Sequence, residues 1–206
     1  MIAVVDYGRG NLGSVEKAFR RVGMPAVITQ DARSVDDAEA VVLPGDGAFH
    51  DAMSNLDRLG LLPAVRRSLD GSRPFLGICL GYQLLFSTSA EFGEGRGLDV
   101  VPGAVRRLPE GRKIPHMGWN RVEHAGDLRL FDGIPSGAHF YFVHSYYPAP
   151  ERRSEPLKAA WCEYGVRFAA AIEMGRIHAT QFHPEKSQRW GLRMLENFAA
   201  IVKSGR

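Results

Sequence analysis

Cys79 stands in the run Pro74-Phe75-Leu76-Gly77-Ile78-Cys79-Leu80-Gly81-Tyr82-Gln83, where an apolar stretch reaches a thiol with glycines two residues before and two after. That spacing is the one a nucleophile elbow needs. A sharp strand-to-helix turn tolerates only small neighbours and lifts the central side chain toward a ligand. At a helix N-terminus, backbone N–H groups favour the thiolate, so sulfur becomes a usable nucleophile.

A thiolate needs a proton shuttle. His183, in Gln181-Phe182-His183-Pro184-Glu185, follows a strand-like segment, and strand ends are where α/β sites form. Glu185 is placed to accept from one ring nitrogen and leave the other for Cys79, which gives a Cys-His-Glu triad. The competing reading is that His183 only closes its strand. Attack on a carbonyl creates an oxyanion, and Pro44-Gly45-Asp46-Gly47 offers backbone donors at Gly45 and Gly47 to join the N–H of Leu80. Without Cys79 that segment would read as an ordinary Pro-Gly turn.

Two other segments compete for attention. Gly8-Arg9-Gly10-Asn11-Leu12-Gly13 is a full G-x-G-x-x-G, and Asp31 follows about 20 residues on, as in a dinucleotide fingerprint. A nucleotide-binding module with Cys79 as a structural thiol therefore remains open at this point. His139 to Tyr147 is an aromatic strand whose end, His144-Ser145-Tyr146, is polar enough to touch a substrate. Cys162 lacks glycine neighbours and reads as a small buried hydrophobe.

The elements that must position these groups alternate early and crowd together later. Strands are expected at Ile2 to Val5, Ala26 to Thr29, Ala40 to Leu43 and Phe75 to Ile78, with helices over Leu12 to Val22 and Leu80 to Ser87. Beyond Gly103, strands are expected at Ala104 to Leu108, His139 to Val143, Leu157 to Cys162, Ala169 to Glu173 and Ile177 to Phe182, before a helix from Trp190 to Val202. The fold class is α/β: a flavodoxin-like, open, mostly parallel central sheet flanked by helices, with mixed or antiparallel strands in the C-terminal half. Residues 1–206 are expected to form a single domain.

Bulk composition excludes several classes. A hydrophobic content of 45% and a charged content of 24% are ordinary for a globular chain. The net charge of +3 comes from scattered residues, so no nucleic-acid partner is expected. Two cysteines make neither a disulfide scaffold nor a structural zinc site, and a reducing cytoplasm fits them best. No leader-like or membrane-length apolar stretch is evident, and neither a cofactor nor a metal is called for.

Taken together, Pro44-Gly45-x-Gly47, Gly77-x-Cys79-x-Gly81-x-Gln83 and Phe182-His183-Pro184-Glu185 resemble the class I, triad-type glutamine amidotransferases. Asp6 to Asn11, Pro115 to Asn120 and Tyr141 to Tyr146 are similar to the glutaminase subunits of imidazole glycerol phosphate synthase, and the likeness spans nearly the whole chain. Other amidotransferases fit the Trp119 and Tyr141 segments less well. Thiol peptidases and stress proteins of the wider superfamily usually have histidine directly after the elbow cysteine, where this chain has Leu80.

The resemblance implies hydrolysis of glutamine through a glutamyl thioester on Cys79, with ammonia passed to a (β/α)₈-barrel cyclase subunit in a heterodimer of histidine biosynthesis. His183 would protonate the departing ammonia and Glu185 would orient it. It further implies that Gln83, Glu91, His144, Ser145 and Tyr146 hold the substrate, with Glu91 on the α-ammonium group. Asn11, Trp119, Tyr141 and Lys186 would lie toward the partner or the ammonia exit, Trp119 and Lys186 as a cation–π pair. The family is nearly idle until the cyclase docks, so the oxyanion loop is expected to be a two-state element. Two departures stand out. Asp46 replaces a small apolar residue and is expected to point outward, and Tyr82 replaces a frequent Met and should alter packing only.

Overall fold

The computed structural model describes residues 1–151 and 157–205. In chain order the elements are β1 (Ile2–Val5), α1 (Leu12–Arg21), β2 (Ala26–Thr29), α2 (Ala32–Asp36), β3 (Ala40–Gly45), α3 (Phe49–Arg58), α4 (Leu62–Arg67), β4 (Phe75–Cys79) and α5 (Leu80–Gln83). There follow β5 (Phe86–Ser89), β6 (Gly95–Arg96), β7 (Val101–Arg107), β8 (His116–Val122), β9 (Ala138–His144), β10 (Tyr146–Pro150), β11 (Lys158–Glu163), β12 (Arg167–Met174), β13 (Ile177–Thr180) and α6 (Gln188–Ser204).

Seven strands form the central sheet in the order β11-β12-β13-β4-β3-β1-β2. β2, β1, β3, β4 and β13 run parallel, while β12 and β11 extend the sheet antiparallel. The fold is therefore α/β, as the alternating pattern requires. β1, β3 and β4 are buried on both faces, which is why they read as unbroken apolar runs. Ile2, Val4, Val42 and Ile78 face one core with Phe19 of α1 and Phe198 of α6. Ala3, Val5, Val41 and Leu43 face the other, with Phe49 and Leu56 of α3 and Val65 of α4.

The extra strands make a four-stranded sheet, β10-β7-β5-β6, and the two-stranded ribbon β8-β9. The expected helix from Leu80 to Ser87 is corrected here: it stops after one turn, and Phe86–Ser89 becomes β5, paired parallel to β7 and antiparallel to β6. A distant strand partner overrides the local preference there. β13 likewise ends at Thr180, two residues before the expected Phe182, and the last helix begins at Gln188 instead of Trp190.

Parallel pairing fixes where a site can form. The carboxyl ends of β1, β3, β4 and β13 lie on one edge of the sheet, and the register sets Gly45 opposite Cys79 and Ile78 opposite Thr180. Cys79, the loop after β3 and the segment after β13 are brought together by backbone hydrogen bonding alone.

Candidate active site

Cys79 ends β4 with φ 55° and ψ −107°, a conformation that costs an L-residue about 1–3 kcal/mol. The surroundings hold it there. A side chain on Gly81 would overlap the Leu43 carbonyl oxygen, and one on Gly77 would stand 2.9 Å from the Gly81 oxygen. These two approaches explain the glycine spacing around the thiol.

His183 lies beyond β13. Its backbone N–H donates to the Tyr141 carbonyl at 3.0 Å, and the buried Ser187 hydroxyl donates to the His183 carbonyl at 2.6 Å. The ring Nδ1 meets Glu185 Oε1 at 2.8 Å, with the Glu185 side chain 2% exposed. Nε2 is buried and closes no hydrogen bond among the described residues. Burial works against a charged ring, yet the nearby Cys79 sulfur and then the Glu185 carboxylate outweigh it, raising the imidazole from 6.5 to about 10. The folded ring thus binds its proton more tightly than the unfolded one. Its contribution to stability is complete below about 6.5 and fades as pH rises through about 10. Ring-carbon NMR of the isolated protein should show His183 titrating near pH 10, and Glu185→Gln should move that midpoint down. A wild-type midpoint near 6.5 would contradict the coupling.

A cavity of about 410 Å³ opens over this edge. Cys79, Leu80, Gly47 and His183 line it together with Gln83, Glu91, His144, Ser145 and Tyr146. Asn11 and Lys186 reach it as well, whereas Trp119 and Tyr141 do not. Gly45 is buried in β3 beside Cys79 without lining the cavity. Glu185 lies behind His183, where it lines a separate groove with Ser14, Lys17 and Gln188.

Several of these side chains are already engaged. Gln83 Nε2 donates to the Tyr146 carbonyl at 2.9 Å and to Gln181 Oε1 at 3.0 Å, and Gln181 Nε2 donates to Cys79 Sγ at 3.6 Å. Gln181, fully buried, is thus a contact to the thiol that residue spacing did not single out. His144 Nδ1 lies 2.8 Å from the Tyr146 carbonyl, and its Nε2 lies 2.9 Å from His116 Nδ1. Burial lowers His144 to about 3 and His116 to about 4, so both rings are neutral. The carbonyl accepts from His144 Nδ1–H, His144 Nε2 then accepts from His116, and His116 Nε2 accepts from Asn120 at 3.2 Å. With both nitrogens occupied, His144 is a neutral wall of the cavity. Glu91 Oε2 accepts from Phe49 N at 2.7 Å, an anion at the start of α3.

The expected outward orientation of Asp46 holds only in part: the residue is exposed and its carboxylate accepts from Gly10 N at 3.0 Å, tying the loop after β3 to the glycine-rich loop after β1, yet Asp46 also lines the cavity. Tyr82 is buried behind the elbow, its hydroxyl donating to the Ala169 carbonyl at 3.3 Å. The expected pairing of Trp119 with Lys186 is corrected. Trp119 meets Tyr141 edge to face at 6.1 Å, across the β8–β9 register, and the cation–π contacts recorded among the described residues are Arg167 on Trp161 and Arg189 on Trp190. Trp119 and Met117 are exposed on β8. Cys162 is buried on β11, and burial pushes its thiol up to about 12.

The glycine-rich loop does not fit a dinucleotide. That fingerprint uses its third glycine for close helix–strand packing, but beyond its own helix backbone nothing lies within 4 Å of where a Gly13 side chain would begin. Asp31 caps α2, its carboxylate accepting from Ser34 N at 2.8 Å. Gly10 instead packs against Gly45, its missing side chain leaving 3.3 Å to the Gly45 Cα.

Residues 3–202 match the family described as glutamine amidotransferase class-I. The chain is 52% identical over 202 residues to imidazole glycerol phosphate synthase subunit HisH of Moorella thermoacetica, covering 98% of this chain and 95% of that protein. It is 51% identical to the HisH subunit of Geobacter sulfurreducens, covering 97% and 98%. Against that of Methanothermobacter thermautotrophicus the identity is 48%, covering 99% and 100%. Among solved structures it shares its fold with a glutamine amidotransferase at TM-score 0.74 and 21% identity, covering 98% of this chain and all of that one. A putative GMP synthase protein of Thermoplasma acidophilum gives 0.72 and 23%, covering 98% and 94%.

Proposed function

We propose, for a chain that belongs to the class I glutamine amidotransferases and, within them, to the HisH subunits of imidazole glycerol phosphate synthase, that Cys79, His183 and Glu185 hydrolyse glutamine and that the ammonia passes to a (β/α)₈-barrel cyclase bound as a heterodimer. The observation that carries this reading is the convergence of the strained thiol, the His183–Glu185 pair and one cavity at the carboxyl edge of the sheet. The whole of residues 1–206 then acts as one amidotransferase domain in the cytoplasm, on glutamine and with the synthase partner. No helix among the described residues is long and apolar enough to cross a membrane.

The chemistry follows from the groups in place. Cys79 sulfur forms a bond to the side-chain carbonyl carbon of glutamine, and the charge moves to oxygen, assigned to the N–H groups of Gly47 and Leu80 on the cavity wall and of Gly45 once the loop after β3 turns inward. Collapse breaks the carbon–nitrogen bond as His183 gives its proton to the leaving nitrogen, releasing ammonia and a glutamyl thioester. Water then attacks, His183 takes its proton, the carbon–sulfur bond breaks, and glutamate leaves with Cys79 restored. Glu185 holds the ring through Nδ1 in both steps.

Substrate recognition is assigned to Gln83, Glu91, His144, Ser145 and Tyr146, with Glu91 taking the α-ammonium group. His144 serves mainly by shaping the wall, since both its ring nitrogens are bonded within the protein, and the Gln83 amide nitrogen is likewise engaged by Tyr146 and Gln181. The partner face is assigned to Asn11, Trp119, Tyr141 and Lys186, among which Trp119 is exposed and Asn11 and Lys186 border the cavity. Glutamine hydrolysis measured with the glutaminase by itself, with the barrel cyclase, and with the cyclase plus its nucleotide ligand tests partner and activity together. Turnover should rise at each addition. Equal turnover in all three would overturn the partner assignment.

A further inference from the structure

Tyr7 is fully buried two residues past the end of β1, and its hydroxyl has no hydrogen-bond partner among the described residues. The hydroxyl occupies the space in which a side chain on Gly45 would stand, and Leu80 Cβ bounds the same space. Gly45 and Leu80 are two of the residues to which the proposed reaction assigns the oxyanion, so an unsatisfied donor sits directly behind that hole. Phenylalanine would fill nearly the same volume without leaving a polar atom stranded, and a stranded hydroxyl forfeits its desolvation cost. Burial first, then the Cys79 sulfur and the Asp46 carboxylate, hold the phenol well above its ordinary value, so it remains a donor at any working pH.

We propose that Tyr7 is a positioning residue for the glutaminase: when the loop after β3 turns its N–H groups toward the cavity, the Tyr7 hydroxyl donates to the Gly45 carbonyl oxygen and holds the loop in that arrangement. This rests on the function proposed above. A donor unsatisfied in the resting arrangement and satisfied in the working one favours the working one, and it does so without touching the substrate. Asp46 ties the same loop to Gly10 N through its carboxylate.

The test is Tyr7→Phe in the assembled enzyme with its synthase partner. The kcat for glutamine-dependent synthesis should fall on the order of tenfold to a hundredfold, less than for loss of a direct oxyanion donor. KM for glutamine should stay within about twofold, as for an interaction made only in the transition state. Ammonia-dependent synthesis should be unchanged, and the Tm of the isolated glutaminase equal or higher because no bond is removed. Unchanged glutamine turnover, or a loss shared by ammonia-dependent synthesis, would overturn the assignment. Cys79→Ser in the same assay separates the two claims. If it keeps glutamine turnover, the thiol reading fails whatever Tyr7 does; if it is inactive while Tyr7→Phe is fully active, only the Tyr7 role falls.

Discussion

Replacing Cys79 with alanine should lower glutamine-dependent turnover by about four to six orders of magnitude, the loss seen when a nucleophile that works as a unit with its base is removed. Nothing else in the cavity can take over. Ser145, between β9 and β10, lines it, but among the described residues no base is bonded to its side chain, and Cys162 is buried on β11 with its thiol pushed up to about 12. The fold should survive, because the hydrogen bonds recorded for Cys79 Sγ among the described residues are long, one from Gln181 at 3.6 Å and one to the Val143 carbonyl at 4.0 Å. Alanine also accepts the elbow's backbone no worse than cysteine. Synthesis supplied with free ammonia should therefore proceed at the wild-type rate, since ammonia bypasses the thiol. The comparison of the two nitrogen sources is the readout. Loss of both would place Cys79 in assembly instead of chemistry.

The largest stability effect is expected at Gly81. Its backbone is not in the left-handed region, so the requirement for glycine there is purely steric: a methyl group would overlap the carbonyl oxygen of Leu43. Leu43 belongs to β3 and is paired to Gly77 of β4, so the strand cannot step aside without breaking the register that sets Gly45 opposite Cys79. Gly81→Ala should cost about 3 kcal/mol or more, at the upper end of overpacking in a core. For a chain of this size that lowers Tm by about 6–12 °C. Gly13→Ala is the control. Its position in α1 has open space where a methyl group would go, and alanine should stabilise the helix by about 0.5–1 kcal/mol. A Tm for Gly81→Ala within a degree or two of wild type would show that the elbow is held by something other than this contact.

The residues that do chemistry were legible because each sits in a pattern with a mechanical reason. Gly77 and Gly81 mark the elbow since any side chain there would strike Leu43 or the next turn. The parallel strands announced themselves as continuous apolar runs because they are covered on both faces. Other features are set by partners far along the chain. Phe86–Ser89 leaves its helical continuation to pair with β7 and β6, and His116–Val122, interrupted by Gly118, becomes a strand only against β9. The helices Phe49–Arg58 and Leu62–Arg67 went unread despite clear amphipathic spacing in the first and Pro63 at the start of the second.

Within the site the same division holds. His183 and Glu185 are two residues apart, so their contact could be proposed from the chain alone, whereas Gln181 on Cys79, Ser187 beneath His183 and Tyr7 behind Gly45 depend on the crossing of separate elements. Gln181 carried one usable signal, its place two residues before His183 and so on the same side of an extended segment. The His144–His116–Asn120 chain carried none, because it arises only from the antiparallel register that sets His116 opposite His144. Trp119 and Lys186 failed to meet for a similar reason, as that register gives Trp119 to Tyr141 instead.

The account depends most on thiol chemistry at one position. Incubation of the assembled enzyme with a chloroketone analogue of glutamine, followed by peptide mass spectrometry, reads that position directly. A single adduct on Cys79, blocked by excess glutamine and accompanied by loss of glutamine-dependent synthesis alone, is the expected result; an adduct confined to Cys162, or inactivation with Cys79 unmodified, would contradict it.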